Sequence, residues 1–395
     1  MQLDSRSFSA ESIAAEKANF SGWGTIENDP LVFSALLHAM GVRGMTVKEV
    51  YSLDAESLSQ FSQLFGLIFL FKWHNHSEKS AEEQEAELKT PLPMNVWFAN
   101  QTMPNSCATL ALLNIALNAS ISDPDCVKLL PELESFKEFT RSLIPFHRGL
   151  ALMSSRFLCS THNQFAKVSE IRDSIMDLYR QSKNTAGKGD GQHESFHYIA
   201  YVPVNGALWE LDGLRQRPVK ICELGETLWY VTAVDEIHNR IAEYGSEEMG
   251  FSLMALARDY SDALADVAAR IRPALGTLDE VISRQPADSG NELRTLLNSR
   301  ARYLNIDEPT IISIARRHLK TLSSRSACEL ESEIETMYVD LLSTLNTAET
   351  LLATYQANEA DERQYVMRKQ HDYAPFLRQM IRFMEGEDFA GILGQ

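Results

Sequence analysis

Cys107 stands where a polar loop gives way to an apolar helix, in the stretch NQTMPNSCATLALLNIALN from Asn100 to Asn118. The residues after the cysteine are apolar on nearly every side of a helix, which is typical of a helix buried at the centre of a domain. With Asn105 or Ser106 as the cap, the thiol lies in the first turn, where free N–H groups and the positive end of the helix dipole stabilise a thiolate. The alternative is that Cys107 is an ordinary buried side chain, which is a common use of cysteine.

A cysteine nucleophile needs a base, and the segment SFHYIAYVPVNGALWELDGL offers His197. Two apolar runs flank Asn205–Gly206, a pair that favours a two-residue type I′ hairpin turn. With that turn, Ile199 faces Asp212 across the hairpin and shares its face of the sheet with His197. His197 and Asp212 are then diagonal neighbours within side-chain reach, whereas a register slip of one residue would put them on opposite faces.

These residues form a candidate catalytic set for a thiol-dependent acyl transfer. An imidazole oriented by a carboxylate is the arrangement that activates Cys107, so His197 and Asp212 are its expected partners. Gln101 lies six residues before the cysteine, and its amide can donate to the oxyanion of a tetrahedral intermediate together with the Cys107 backbone N–H. Taken singly, each residue also has an ordinary interpretation, as a strand histidine, an Asp-Gly turn or a polar loop residue.

Other histidines could serve as the base, and the histidines and cysteines could also form metal or disulfide sites. His193, in the glycine-rich run RQSKNTAGKGDGQHES, and His162, in the polar context THNQ, are rival bases. His74 and His76 lie in an acidic run that reads as a solvated loop, which argues against a metal. The five cysteines are odd in number, widely spaced and lack a CxxC pair, so neither a disulfide framework nor a zinc site is indicated.

Composition restricts the class of partner and the compartment. The chain has 395 residues, 44% of them hydrophobic, and a formal net charge of −17, so nucleic acid and anionic membrane are poor candidate partners. The N-terminal residues lack the apolar core of a signal peptide. LFGLIFLF, from Leu64 to Phe71, is too short to span a bilayer and is typical of a buried strand. We therefore expect an intracellular protein, cytoplasmic and nuclear, without cofactor or metal.

The pattern of elements predicts an α+β fold for the N-terminal part of the chain and an all-helical C-terminal part. DPLVFSALLHAMG predicts a helix with Asp29 as N-cap and Gly41 as its stop. Strand signals disappear from about residue 247 onward. The segment from Leu330 to Tyr355 carries apolar residues at steps of three and four, which predicts a long amphipathic, coiled-coil-like helix.

At this point the sequence resembles the ubiquitin C-terminal hydrolases, a family of papain-like cysteine deubiquitinases. The resemblance covers most of residues 21 to 258, in the family's order, and is carried by GWGTIENDPLVFSALLHAMGVRG, GLIFLFKW, WFANQTMPNSCATLALLNIALN, GLAL, HNQFA, FHYIAYVPVNGALWELDGL and FSLMALARD. It implies a papain-like fold and hydrolysis at the C-terminal glycine of ubiquitin. It also implies a crossover loop over the active site, at about Val168 to Ser195, which would exclude bulky folded leaving groups.

The family's functional residues fall on matching residue types in this chain. The resemblance implies Cys107 as nucleophile, His197 as general base and acid, Asp212 as the residue that orients the histidine, and Gln101 as the oxyanion stabiliser. No cofactor or metal is implied. The expected partners are ubiquitin and ubiquitinated proteins. The open alternatives are a scaffold that binds ubiquitin without turnover, and the same chemistry on a ubiquitin-like modifier.

The back half resembles the longer members of the family. We expect a catalytic domain at 21–250, a helical extension at 251–360 and a docking module at 361–395. In that last segment MRKQHDYAPFLRQMIRFMEGEDFAGIL predicts a helix with an apolar stripe at Tyr373, Phe376, Leu377, Met380, Ile381 and Met384. The resemblance implies a helical adaptor as its partner, at the proteasome as in the proteasome-associated hydrolase, with the Polycomb-linked histone deubiquitinase as the alternative. Packing of the stripe on the chain's own long helix is the other interpretation.

Overall fold

The computed structural model divides the chain into two compact units, residues 1–258 with 365–395 and residues 259–364. Within these units it describes residues 17, 20–73, 92, 93, 95–167, 171, 195–244, 250–283, 287–304, 307–324 and 334–370. Each unit has a hydrophobic core of its own.

The first unit mixes helices and strands, as the sequence predicts. In chain order its elements are α1 Pro30–Ala39, β1 Val42–Arg43, β2 Met45–Val50, α2 Ala55–Ser59, β3 Leu64–Trp73, α3 Cys107–Ser122, β4 Lys128–Leu129, α4 Pro131–Thr140, α5 Pro145–Ser154, α6 Arg156–Phe165, β5 Ser195–Val204, β6 Ala207–Leu211, β7 Val219–Glu223, α7 Trp229–Tyr244 and β8 Ser252–Arg258.

Six of these strands form one antiparallel sheet in the order β2-β8-β3-β5-β6-β7, while β1 and β4 pair separately. Successive side chains of the central strands point to opposite faces of the sheet, so they pack alternately into two cores. Ile68 and Ala200 belong to the core that contains α3, whereas Phe69 and Ile199 belong to the core that contains the buried residues of α7. The sheet is thus covered on both faces, and α3 lies buried along one of them.

The local predictions for α1 and for the hairpin are confirmed. Asp29 is the N-cap of α1 and its carboxylate accepts from the N–H groups of the first turn. Gly41 has φ +100°, a left-handed value that stops the helix and favours glycine. Asn205 and Gly206 have φ 50° and 75°, as a type I′ turn requires. The hairpin register pairs Ala200 with Leu211, as predicted.

The prediction that strand signals end near residue 247 is wrong. FSLMALARD contains β8, which pairs with both β2 and β3 and buries every residue from Leu253 to Ala257. A continuous apolar run of this kind is typical of a strand covered on both faces, and its length alone does not distinguish it from a buried helix. The first unit therefore extends to Arg258, past the boundary expected at residue 250.

The second unit is helical throughout its described residues. It contains α8 Ser261–Ser283, α9 Ala287–Arg300, α10 Glu308–Ser324 and most of α11 Ile334–Gln370. The predicted stripe of the long helix is confirmed for its described side chains, because Met337, Leu341, Leu345 and Ala348 are buried in the core of this unit. An ion pair between Arg272 and Glu349 at 2.6 Å lies at its surface.

Helix α11 continues through residue 370, so the segment expected as a separate module from residue 361 begins as helix. Its last turns belong to the first unit. Tyr365 donates to Asp29 Oδ2 at 2.8 Å, Lys369 pairs with Glu27 at 2.6 Å, and Val366 is buried. Of the crossover loop predicted from Val168 to Ser195, the structure describes Ile171, which is buried, and Ser195, which begins β5. The rest of that loop, the apolar stripe predicted after residue 370 and the loop with His74 and His76 lie outside the described residues.

Arg148 of α5 is a buried cation that holds the chain leading to Gln101. Its guanidinium donates to the carbonyl oxygens of Val96, Phe98, Thr140 and Arg141, at distances of 2.8 to 3.3 Å. Arginine can serve all four because its planar fork carries five donors. The segment before the site is therefore fixed by a side chain from a helix that follows α3 in the chain.

We expect Arg148→Met to lower the free energy of unfolding by roughly 2–4 kcal/mol, because carbonyl oxygens lose their donors while the side-chain volume stays similar. Urea denaturation measures the change. The matched control is Arg141→Met, whose exposed guanidinium makes only a 3.7 Å contact with Glu138 and should cost less than about 0.5 kcal/mol. Equal losses in the two variants would contradict the role given to Arg148.

Candidate active site

Cys107 is the first residue of α3 and is half-buried. Ser106 is the N-cap residue, as one of the two predicted caps, but its hydroxyl does not cap the helix. It donates instead to the Met103 carbonyl at 2.7 Å. Asn105 has φ 62° and its amide donates to the Trp23 carbonyl at 3.2 Å. Both side chains thus shape the turn before the helix, and the Ser106 side chain does not cap its first N–H groups.

The structure brings His197 and Asp212 together as the register predicts. His197 Nε2 lies 2.6 Å from Asp212 Oδ1, and both side chains are buried. The same oxygen accepts the backbone N–H of Leu214 at 2.9 Å, and Arg215 lies 3.7 Å from the second oxygen. The carboxylate is therefore fixed by its own turn as well as by the imidazole.

Burial lowers the pKa of His197, but its hydrogen bonds to Asp212 and Cys107 and the charges of both outweigh burial and raise the pKa to about 9. Burial raises the pKa of Asp212, while His197, the Leu214 N–H and Arg215 lower it by more, so the net pKa falls. Because Nε2 is bonded to Asp212, Nδ1 is the nitrogen left for the thiol. The imidazole accordingly lies between a carboxylate and the cysteine.

Gln101 lies in the loop that joins these groups. Its backbone N–H donates to the Gly213 carbonyl at 2.8 Å, which attaches it to the residue after Asp212. Its side-chain Nε2 donates to the Met103 carbonyl at 3.1 Å, a bond that uses one of the two Nε2 hydrogens. All four predicted residues are therefore contributed by segments that contact one another: the loop before α3, the start of α3, β5 and the turn after β6.

Two glycines allow these segments to approach. A Cβ on Gly213 would lie 2.3 Å from Leu110 Cδ2 of α3 and 3.2 Å from Gln101 Cβ. A Cβ on Gly149 of α5 would lie 2.1 Å from the Asn100 carbonyl oxygen. The contact at Gly149 is with backbone and leaves no room for a side chain, whereas a side chain at Gly213 would require Leu110 to move.

Two residues of α3 that the sequence did not single out position the segment before Gln101. Asn118 accepts the Trp97 N–H at 2.8 Å and donates back to the Trp97 carbonyl at 2.7 Å, and Asn114 accepts the Ala99 N–H at 3.3 Å. Both asparagines are buried. Their signal was present in the sequence, as two polar residues four apart in an otherwise apolar helix, where each buried amide needs a partner.

His162, a rival base, is fully buried and serves another purpose. Its Nδ1 lies 2.7 Å from Thr109 Oγ1 and its Nε2 lies 2.7 Å from the Gly24 carbonyl, so both ring nitrogens are occupied. Burial lowers the pKa of His162 to about 4, although the bond to Gly24 acts in the opposite direction. It is a neutral link between α3 and the segment around Gly24. His193, the second rival, lies outside the described residues.

The described part of the chain lacks two features that would suggest a metal site or a membrane span. Within it no group of three or more histidine, cysteine or acidic side chains is arranged to hold a metal ion. No helix in those same ranges has the length and apolar character needed to cross a membrane.

The family model described as ubiquitin carboxyl-terminal hydrolase, family 1, matches residues 23–242. Ubiquitin carboxyl-terminal hydrolase isozyme L5 of Dictyostelium discoideum is 31% identical over 272 residues, which cover 69% of this chain and 72% of that protein. Ubiquitin carboxyl-terminal hydrolase 2 of Schizosaccharomyces pombe is 35% identical over 242 residues, 61% of this chain and 75% of that protein. The crystal structure of Trichinella spiralis UCH37 bound to ubiquitin vinyl methyl ester has a TM-score of 0.49 at 30% identity, covering 64% of this chain and 89% of that one.

The opposite pKa shifts of His197 and Asp212 predict how stability depends on pH. The pKa of His197 rises from 6.5 to about 9 on folding, so its stabilisation is complete below pH 6.5 and is lost as pH rises through 9. The lowered pKa of Asp212 stabilises the fold above its ordinary value of 3.8 and ceases to do so at lower pH. Asp212→Asn should thus cost on the order of a few kcal/mol at pH 6 and distinctly less at pH 9.5.

Urea denaturation of the wild type and of Asp212→Asn at the two pH values measures this difference. Asp235→Asn, a change at an exposed position on α7, is the matched control and should cost the same small amount at both. A cost for Asp212→Asn that does not change between pH 6 and pH 9.5 would refute the coupling.

Proposed function

The chain belongs to ubiquitin carboxyl-terminal hydrolase family 1, a family of cysteine peptidases, and on this basis we propose that it is a thiol-dependent deubiquitinase. It hydrolyses the bond between the C-terminal glycine of ubiquitin and an amine, or an ester at the same position. The observation that carries the proposal is the His197 side chain held between Asp212 and Cys107 at the start of α3.

In the first step Cys107 attacks the carbonyl carbon of ubiquitin's terminal glycine. A free thiol with pKa near 8.5 is only a few per cent thiolate at pH 7, so a base is required. His197 is that base, and its raised pKa favours the imidazolium that forms when it accepts the thiol proton. Asp212 keeps the ring oriented and stabilises its positive charge.

The tetrahedral intermediate places negative charge on the former carbonyl oxygen. The Cys107 N–H at the start of α3 and the Gln101 side-chain Nε2 are the donors that this oxyanion would meet. Gln101 is suited to the role because its backbone is bonded to Gly213 and its amide to Met103, so the donor is oriented before the substrate arrives.

Collapse of the intermediate releases the leaving amine, which takes its proton from His197. A thioester between ubiquitin and Cys107 remains. Water then attacks the thioester while His197 acts as base again, and a second oxyanion forms at the same donors before ubiquitin leaves with a free carboxylate.

A ubiquitin-binding scaffold without turnover is the alternative from another class. The described geometry favours catalysis over it, since a scaffold needs neither a His–Asp pair at 2.6 Å nor a cysteine at a helix N-terminus. Labelling of Cys107 by a ubiquitin vinyl electrophile distinguishes the two. Parallel assays with a ubiquitin-like modifier test the choice of substrate.

We further propose that a helical adaptor binds the C-terminal tail at the proteasome and regulates the enzyme. The support from the described residues is a pair of salt bridges that share the Glu27 carboxylate. This carboxylate lies 2.6 Å from Lys369, near the end of α11, and 3.1 Å from Lys167, the last residue before the predicted crossover loop. One side chain thus contacts both the segment that precedes the tail and the segment that precedes the loop, so a partner on the tail can bias the loop.

Cys107→Ala should abolish hydrolysis of a fluorogenic ubiquitin amide while leaving the Kd for ubiquitin within about two-fold, since a thiol adds little to a protein interface. His197→Ala should lower kcat almost as far. Turnover is followed by fluorescence and binding by calorimetry. Retained turnover in Cys107→Ala would overturn the proposed mechanism.

Gln101→Ala should lower kcat by about 10²- to 10³-fold with little change in ubiquitin affinity, because it removes one oxyanion donor. Asp212→Asn should retain more activity than His197→Ala, since the imidazole is mis-oriented rather than absent. A Gln101→Ala variant with unchanged kcat but raised KM would assign Gln101 to ubiquitin binding instead.

Replacing Phe376 and Ile381 of the tail with serine should abolish capture by a helical adaptor while basal hydrolysis stays intact, because both lie on the apolar stripe that the sequence predicts. Gln379→Ser, between them and off the stripe, is the matched control. Loss of basal activity and of the folded state, with adaptor capture unaffected, would mean that the stripe packs on the protein itself.

A further inference from the structure

We propose that Arg215 is a positioning residue for the catalytic pair: it holds the Asp212 carboxylate in place against His197, and the buried Glu210 holds Arg215. The inference rests on the proposed function and deepens it, because it adds a residue that acts on the reaction through Asp212. Arg215 lies in the turn that follows β6, and its backbone N–H donates to the Asp212 carbonyl oxygen at 3.0 Å.

The two carboxylate oxygens of Asp212 face different partners. Oδ1 accepts from the Leu214 N–H at 2.9 Å and lies 2.6 Å from His197 Nε2. Oδ2 lies 3.7 Å from Arg215 Nε, which is a contact between charges rather than a hydrogen bond. The last side-chain torsion of an aspartate has a broad energy minimum, so contacts at one oxygen leave the carboxylate plane free to turn. A cation beside the second oxygen restricts that rotation and keeps Oδ1 directed at the imidazole.

The Arg215 guanidinium is itself held by a buried acid. Its Nη2 lies 3.2 Å from Glu210 Oε1. Glu210 is buried, and among the described residues its Oε1 has no hydrogen-bond partner, so the Arg215 charge compensates that oxygen. A long side chain at the surface loses conformational entropy when it keeps a single geometry. The attraction of a buried carboxylate offsets that loss and keeps Arg215 beside Asp212.

Glu210 is fixed from two further elements. Its Oε2 accepts from Arg240 of α7 at 2.8 Å and from the Tyr201 hydroxyl of β5 at 3.4 Å. Tyr201 is the direct partner of Glu210 in the hairpin register, so both side chains lie on one face of the sheet. Burial and the Glu210 charge raise the pKa of Tyr201, so its hydroxyl keeps the proton that it donates. Glu210 is therefore a rigid support for Arg215.

The chain of contacts returns to the imidazole through α7 and β3. The Arg240 guanidinium lies 5.9 Å from the centre of the Phe71 ring, and Phe71 contacts the His197 ring edge-on with 5.9 Å between ring centres. The contacts thus form a closed ring, made of His197, Asp212, Arg215, Glu210, Arg240 and Phe71. A change at Arg215 releases the carboxylate side of the imidazole and leaves the Phe71 side in place.

A buried ion-pair network can also serve stability alone, and a double-mutant cycle between Arg215 and Asp212 separates the two roles. Arg215 is the member to replace, because its side chain is 24% exposed and Glu210 keeps its bond to Arg240. With a fluorogenic ubiquitin amide, Arg215→Met should lower kcat about 10-fold and leave KM within about two-fold, as expected for a coupling between charged residues in contact.

In the Asp212→Asn background, Arg215→Met should change kcat by less than about two-fold, because the carboxylate that Arg215 positions is absent. Arg215→Lys keeps a cation in the turn and should lose less activity than Arg215→Met. Arg141→Met is the matched control and should leave kcat unchanged. It also removes an arginine that lies 3.7 Å from an acid three residues earlier in the chain, Glu138, but at the surface. Urea denaturation checks that each variant is folded under the assay conditions.

Three outcomes would overturn the proposal: unchanged kinetics in Arg215→Met, an equal fall of kcat in both backgrounds, or a raised KM at unchanged kcat. The second would mean that Arg215 serves the fold alone, and the third that it binds ubiquitin. Labelling of Cys107 by ubiquitin vinyl methyl ester separates the two levels of inference. Normal labelling and turnover without coupling in the cycle reject the positioning role alone, whereas absence of both in the wild type rejects the proposed function.

Discussion

The pairing register of β5 and β6 is the constraint on which the active site depends. The two-residue turn at Asn205 and Gly206 fixes this register, so the backbone geometry of the hairpin decides the position of His197 relative to Asp212. Pairing of β5 with β3 fixes the same strand from its other edge. A slip of one residue would turn the imidazole to the opposite face and leave the carboxylate buried without its partner.

The thiol is positioned in a different way. It lies at the start of α3, and buried asparagines of that helix bind the segment that leads to Gln101. Buried amides cost free energy in an apolar core unless they are bonded. Asn118 bonds the backbone of Trp97 with both its oxygen and its nitrogen, and the Asn114 oxygen accepts from the Ala99 N–H. The segment approaching Gln101 is thus fixed by α3 on one side and by Arg148 on the other. Cys107 and Gln101 are therefore held in one continuous hydrogen-bonded structure.

The sequence was sufficient to predict features that depend on neighbouring residues or on a regular spacing of apolar side chains. The Asp29 cap, the hairpin turn and the stripe of α11 follow from rules that act within a few residues, and each was predicted. β8 was missed because a run buried on both faces has no alternation to identify it. The link from Thr109 through His162 to Gly24 could not be read from the sequence, because it joins residues far apart in the chain by contacts that only the packed fold defines.

His162 and His197 are tuned in opposite directions within one unit. One is kept neutral down to a pKa of about 4 by burial, and the other is kept charged up to about 9 by its carboxylate and thiol neighbours. Between about pH 5 and pH 8, the range in which an ordinary histidine titrates, neither changes its charge. These two imidazoles therefore keep their charges in compartments of different acidity, so neither of them acts as a pH sensor in that range.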